Sequence, residues 1–101
     1  MDLQSGREMS LNEKESIARH GFVFFYQRSC VHCKKMHPLV MRASDQSGVK
    51  VFLIDVDNNE EIRKFFNVKG WPALYHIVNK KIVADFNGNR NVEEIIQFLT
   101  N

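Results

Sequence analysis

The chain has 101 residues, and its 14 Lys and Arg against 12 Asp and Glu give a formal net charge of +2 with His neutral. Hydrophobic residues make up 44% and charged residues 26%, close to globular averages, which excludes a disordered tail protein or a coiled coil. The basic residues are scattered, so we expect no nucleic-acid partner. No apolar run approaches the ~20 residues that cross a bilayer. A single domain over residues 1–101, with residues 1–9 flexible, is long enough to bury its own core without disulfides or a structural metal.

The first elements are a helix and a buried strand. Ser10 and Glu13 have the spacing of a capping box, which predicts a helix from there to about His20. Gly21 is then expected to end this helix in the left-handed conformation. Residues 22–26 are aromatic and β-branched without alternation, which predicts a strand covered on both faces.

A second helix is expected to begin near Cys30. Met36, Val40 and Ala43 recur at helical spacing within it. Pro38 removes a backbone hydrogen bond, but the pattern resumes beyond it, so we expect the proline to kink the helix without ending it.

The second half of the chain alternates strands and helices. We predict a strand over 49–56, a short helix after 57–60, a hairpin of strands 73–78 and 81–86 joined by Asn79 and Lys80, and a last helix capped by 91–94. The order is α-β-α-β-α-β-β-α. Two strands joined by a helix imply a parallel pair. The predicted fold class is therefore α/β, with a mixed sheet of about four strands between helices on both faces.

Two cysteines stand where the first predicted strand gives way to a helix. Cys30 and Cys33 lie about one helical turn apart, so a disulfide between them opens and closes with little backbone movement. The helix dipole and the unpaired N–H groups of the first turn favour a thiolate at Cys30. We therefore expect Cys30 to be the nucleophile that forms a mixed disulfide with a substrate, and the more buried Cys33 to be the resolving cysteine.

Other uses of the cysteines are less well supported. A zinc site lacks a second tight pair of ligands; the available histidines are His20, His32, His37 and His76. Haem attachment requires His directly after the second cysteine, where Lys34 stands. Inert structural thiols are usually buried singly in a core and not set at the start of a helix. We accordingly predict no metal.

These motifs together resemble the thioredoxin superfamily. The resemblance rests on the strand–CxxC–helix order, on Pro38 five residues after Cys33, on residues 68–72 before a hairpin and on Gly88 before the last helix. It covers about residues 11 to 99. It implies a thioredoxin-like three-layer sandwich, in which an N-terminal edge strand is missing because residues 1–9 are short and polar.

The resemblance also implies a substrate-binding surface. By similarity, Pro72 follows a cis peptide bond and faces the cysteines. The Trp71 backbone pairs with an extended substrate segment, and Gly70 and Val31 belong to the same surface. A His between the cysteines is similar to protein disulfide isomerase and to periplasmic disulfide-forming enzymes, so His32 is expected to tune the Cys30 thiolate.

Several positions depart from the family pattern. Phe24 stands six residues before Cys30, where thioredoxins and protein disulfide isomerase domains have a buried carboxylate that takes the proton of the resolving thiol. Its absence predicts slower reduction of substrates. Ser29 replaces the usual Trp, and Ala73 stands where Thr is common. Trp71 is larger than the usual residue before the proline and is expected to narrow or redirect the substrate groove.

Two functions are compatible with the sequence. The first is a thiol:disulfide oxidoreductase with no cofactor beyond the Cys30–Cys33 pair, acting as a monomer on protein thiols and disulfides with an unidentified redox partner. The second is a redox-inactive thioredoxin-fold binding or chaperone module. Two retained cysteines favour the first, but whether it reduces, oxidises or isomerises stays open. We expect an exported domain of a bacterial periplasm, with the cytoplasm as the alternative because no signal pattern precedes residue 10.

Overall fold

Four helices and four strands follow one another along residues 10–101, the part of the chain that the computed structural model describes. The elements are α1 (Leu11–Arg19), β1 (His20–Tyr26), α2 (Val31–Ser47), β2 (Val51–Asp55), α3 (Glu60–Phe65), β3 (Ala73–Val78), β4 (Lys81–Asp85) and α4 (Val92–Thr100). The predicted order is confirmed. The expected flexibility of residues 1–9 concerns a segment outside the described residues.

The strands form one mixed sheet in the order β2-β1-β3-β4. β1 pairs in parallel with β2 and antiparallel with β3, so that Phe22 lies between Val51 and His76. β3 and β4 form the predicted hairpin, and Asn79 and Lys80 at its turn both have positive φ, 50° and 68°. This is the backbone that a two-residue hairpin turn requires, adopted here without glycine.

Side chains of β1 alternate between two cores. Phe22, Phe24 and Tyr26 pack with residues of α2 and α4, whereas Val23 and Phe25 lie in the cluster that contains residues of α1 and α3. The sheet therefore has helices on both faces, and the predicted three-layer α/β architecture is confirmed. Burial on both faces also explains the unbroken apolar run of this strand.

The predicted helix caps are present at the first and last helices. The Ser10 hydroxyl accepts the Glu13 backbone N–H at 3.2 Å, and the Glu13 carboxylate accepts the Ser10 N–H at 3.1 Å. At α4, the Asn91 side chain accepts the Glu94 N–H at 2.9 Å. Each pair satisfies backbone donors that a helix start leaves free.

The role predicted for Gly21 is wrong. α1 ends at Arg19; His20, which follows it, has an extended φ of −167°, and Gly21 is the second residue of β1. A Cβ at Gly21 would lie 3.4 Å from both the Ile17 Cα and the Phe52 ring, so the glycine permits close packing of α1 and Phe52 on the strand. The left-handed helix end is found instead at Gly48, after α2, with φ 73°.

The structure confirms one and changes two of the predicted details of α2, β2 and α3. α2 continues through Pro38 as expected. β2 is shorter than the predicted 49–56, because Ser44 and Ser47 bind the backbone of Val49 in a turn. α3 begins after Asn59, whose side chain does not cap the helix but donates to the Asp55 carbonyl at 3.0 Å. Among the described residues, no helix has the length and apolar character to span a membrane.

Candidate active site

Cys30 is the N-cap residue of α2. The chain leaves β1 at Tyr26 and turns, and the Cys30 N–H donates to the Gln27 carbonyl at 3.0 Å. Extended backbone at Cys30 directs its Sγ toward the start of the helix, where it accepts the Cys33 N–H at 3.2 Å. The sulfur thus takes the place that a Ser or Asp oxygen holds at other helix starts, and it receives one of the otherwise unpaired N–H groups.

Cys33 lies one turn further along and is fully buried. Both cysteines are free thiols. Burial first, and then the hydrogen bond and charge of Cys30, raise the pKa of Cys33 to about 12, although the Gln27 backbone and the Arg90 charge lower it. Cys33 is therefore held as a neutral thiol in the dithiol form, whereas Cys30 is only partly buried. The division into nucleophile and resolving cysteine stays a prediction.

The Trp71–Pro72 peptide bond is cis, as the resemblance implied. The indole Nε1 of Trp71 donates to the Gln27 side-chain oxygen at 3.3 Å. Trp71 and Cys30 both pack against the buried cluster that contains Cys33. The segment before β3 and the cysteine turn are thereby brought together.

The other predicted binding residues are accessible to solvent. Gly70 and Pro72 line an open groove of about 350 Å³ that continues along the start of β3. Val31 is 62% exposed in the first turn of α2, an unusual position for an aliphatic side chain. His32 is exposed next to it. Its tuning of the Cys30 thiolate stays a prediction.

Gln27 was missed at the sequence level, although it hydrogen-bonds to both Cys30 and Trp71. Besides its bonds to Cys30 and Trp71, its side-chain Nε2 donates to the Asp57 carboxylate at 3.4 Å. The Asp57 N–H in turn donates to the buried Asp55 carboxylate at 3.0 Å. A polar residue between an apolar strand and a cysteine turn was the available signal, but its partners lie far away in sequence.

Phe24 occupies the position of the family's buried carboxylate, and it is fully buried in the core beside Tyr26. A buried carboxylate does exist at the end of β2, where Asp55 accepts from the Asn58 side chain at 2.7 Å and lies 3.7 Å from the Arg28 guanidinium. The departure seen in the sequence is thus present in the structure.

Two of the histidines form a pair away from the cysteines. The Nε2 atoms of His20 and His76 are 3.0 Å apart, and His20 begins β1 whereas Cys30 follows its other end. His37 is partly buried on α2. Within residues 10–101, no three His, Cys, Asp or Glu side chains come together in a geometry that would hold a metal ion.

Comparison with known proteins agrees with this geometry. The family model described as thioredoxin matches residues 10–101. The chain belongs to the thioredoxin family. Among curated relatives, protein disulfide-isomerase of Ricinus communis is 32% identical over 100 residues, covering 89% of this chain and 20% of that protein. Protein disulfide-isomerase of Saccharomyces cerevisiae is 29% identical over 92 residues, covering 84% and 18%.

Solved structures agree on the fold. Human ERp44 superimposes with a TM-score of 0.79 at 21% identity, covering 90% of this chain and 30% of that chain. A mutant thioredoxin from Halobacterium salinarum gives a TM-score of 0.75 at 21% identity, covering 93% and 86%. This thioredoxin-family chain therefore spans about a fifth of the length of the curated relatives named here, and nearly the whole of the thioredoxin.

Proposed function

We propose that this domain is a thiol-disulfide oxidoreductase that exchanges electrons between the Cys30–Cys33 pair and protein substrates. The observation that carries the proposal is the asymmetry of the two thiols. Cys30 is only partly buried and its sulfur accepts a helix N–H, whereas Cys33 is buried with its pKa raised to about 12. Similarity to protein disulfide-isomerases supports the same activity.

In the reducing direction the Cys30 thiolate attacks one sulfur of a substrate disulfide. The substrate S–S bond breaks, and the attacked sulfur becomes bonded to Cys30. The other substrate sulfur leaves as a thiolate and takes up a proton. Cys33 then loses its proton and attacks the Cys30 sulfur. This step expels the second substrate thiolate and leaves the Cys30–Cys33 disulfide, so the substrate gains two electrons and the domain loses two.

The same steps in reverse oxidise a substrate dithiol. Without a carboxylate at Phe24, water or another group must take the Cys33 proton during reduction and return it during oxidation, so this departure affects the rate and not the direction. His32 supports the oxidising or isomerising direction, because an imidazole that stabilises the Cys30 thiolate favours the reduced form of the pair. Similarity to relatives named as isomerases agrees with this direction.

The remaining residues bind the substrate in this proposal. Trp71, Gly70 and Pro72 form the wall along which an extended protein segment pairs, and Val31 contacts it from the start of α2. The groove lined by Gly70 and Pro72 is open, and an open groove accommodates a protein segment better than a closed pocket would. The dithiol is the only redox group that we assign, the domain works as a monomer, and a separate redox partner restores its starting state.

Trapping of mixed disulfides tests the proposal. Cys33→Ser should accumulate substrate linked to Cys30, because the resolving thiol is gone, and Cys30→Ser is the matched control that should trap little. Equal trapping by both variants would show that the two roles are misassigned. Equilibration of the wild-type pair with glutathione measures its reduction potential and so its direction. If no Cys30–Cys33 disulfide forms in any glutathione buffer, the redox-inactive binding module is the better explanation.

A further inference from the structure

Gln27 joins the two halves of the site through four contacts. Its carbonyl accepts the Cys30 N–H at 3.0 Å, and its backbone hydrogen-bonds to the Cys33 thiol and lowers the pKa of that group. Its side-chain oxygen accepts the Trp71 indole N–H at 3.3 Å, and its side-chain nitrogen donates to Asp57 at 3.4 Å. The backbone of Gln27 thus contacts the two cysteines, while its side chain binds Trp71, in the segment before β3.

The hydrogen bond to Gln27 stabilises one orientation of the Trp71 indole ring. Trp71 packs against both buried clusters, so its ring lies where the two cores meet at the end of β1. An indole N–H in such partly buried surroundings costs free energy if it is left without an acceptor. The Gln27 oxygen therefore selects the ring orientation in which the N–H is paired.

The Gln27 side chain is itself held from the opposite side. Its amide nitrogen binds Asp57, and Asp57 is tied to the fully buried Asp55 carboxylate at 3.0 Å. Both ends of the side-chain amide are used, which fixes its orientation. A chain of hydrogen bonds consequently leads from the buried Asp55 carboxylate at the end of β2 to the Trp71 ring.

We propose that Gln27 is a positioning residue that determines, through the Trp71 ring, how well the site holds an extended protein segment beside Cys30. The inference rests on the proposed function, because it concerns the substrate of that same dithiol. A small disulfide needs only the Cys30 sulfur, whereas an extended segment also contacts the groove next to Trp71. Gln27 thus contributes to the preference for extended protein disulfides over small ones.

A double-mutant cycle tests this role. Gln27→Met keeps the length of the side chain but removes the acceptor, and Trp71→Phe keeps an aromatic ring but removes the donor. For each variant and for the double variant, one measures the second-order rate with a disulfide-bonded peptide and with the small disulfide dithiobis(nitrobenzoate). We expect the peptide-to-small-disulfide ratio to fall roughly two- to tenfold in each single variant, the range of one hydrogen bond. The double variant should fall no further.

Two further variants separate positioning from general damage. Gln27→Glu combined with Asp57→Asn retains an acceptor for the indole and reverses the direction of the hydrogen bond to position 57, so this pair of changes should restore most of the ratio. Gln46→Met makes the same change at an exposed position of α2, roughly 24 Å along the helix from Cys30, and should leave the ratio at its wild-type value. Because the chain contains one Trp, fluorescence anisotropy reports on that ring alone, and it should be lower in Gln27→Met than in the wild type.

The outcomes separate the two proposals. An unchanged ratio and anisotropy in Gln27→Met, or additive losses in the double variant, would overturn the role of Gln27 while the proposed function stands. If the wild-type protein reacts with neither disulfide, the proposed function fails, and the anisotropy still decides whether Gln27 holds the Trp71 ring.

Discussion

The Sγ atom of Cys30 accepts the backbone N–H of Cys33 at 3.2 Å, so the first cysteine of the pair is also the cap of the helix that carries the second. A thiolate accepts this N–H more strongly than a neutral thiol does, because hydrogen bonds to charged acceptors are the stronger class. The fold of the helix start and the proposed reactivity of Cys30 therefore depend on the same contact.

Removal of the Cys30 sulfur should make Cys33 more acidic. In Cys30→Ala we expect the pKa of Cys33 to fall below the wild-type value of about 12, because the hydrogen bond and the charge of Cys30 both raise it. The pKa should stay above the ordinary value of 9.0, since burial, the largest cause, persists. Titration of the Cys33 Cβ carbon shift by NMR measures this change. Ser29→Ala, next to the cysteine and without a sulfur, is the control.

Removal of the Arg90 charge should shift the pKa of Cys33 in the opposite direction. The Arg90 guanidinium favours the Cys33 thiolate across space, so Arg90→Gln should raise the pKa of Cys33. The change should be smaller than that in Cys30→Ala, because the Arg90 charge is the weakest of the influences on this thiol. The same NMR titration applies, with Arg42→Gln on α2 as the matched control. A fall of the pKa would contradict this account.

Much of the fold could be predicted because its signals are local. The capping residues around Ser10 and Asn91, the apolar run of β1 and the helical spacing after Cys30 are each encoded within a few residues. The place of Cys30 and Cys33 at a strand–helix junction followed from the same signals. Gly21 was misread because a glycine after a helix serves either as a left-handed cap or as a site of close packing, and only the tertiary contact with Phe52 distinguishes them.

The connections across the site could not be predicted in the same way. Trp71 and Gln27 are 44 positions apart, and their hydrogen bond depends on how β3 is placed beside β1 and on two side-chain orientations. The effect of Arg90 on Cys33 likewise depends on a loop whose course no local pattern specifies. Residue types thus located the reactive sulfurs, but not the groups that orient and tune them.

The histidine pair should make stability depend on pH. Burial and the nearby His20 lower the pKa of His76 from its ordinary 6.5. Between the lowered value and 6.5 the unfolded chain binds more protons than the folded one, so the free energy of unfolding should fall as the pH drops through this range. His76→Phe preserves the stacking on Phe22 but cannot titrate, and it should lose less stability between pH 7.5 and 5.5. Urea unfolding at several pH values measures the difference, and parallel curves for both proteins would refute it.

Substitution at the end of α2 should reveal a purely conformational cost. Gly48 has φ 73°, and a Cβ there would have open space, so Gly48→Ala introduces backbone strain without a steric clash. We expect a loss of about 1 kcal/mol in the free energy of unfolding. Gly70→Ala also meets no neighbouring atom and has no positive φ, which makes it the matched control for chemical denaturation. Equal effects of both substitutions would argue against strain at Gly48.

Restoring the family's carboxylate should destabilise the protein. Phe24 is fully buried in the cluster that contains Tyr26 and Cys33, so Phe24→Asp removes a large apolar side chain and places a carboxylate among apolar groups. Loss of the ring alone costs about 3 to 5 kcal/mol, and the buried carboxyl adds to this. Phe24→Leu keeps the position apolar and should cost roughly 1.5 kcal/mol. Chemical denaturation compares the two. A Phe24→Asp protein as stable as Phe24→Leu would mean that the core admits water beside Cys33, and that a carboxylate at this position is compatible with the rest of the site.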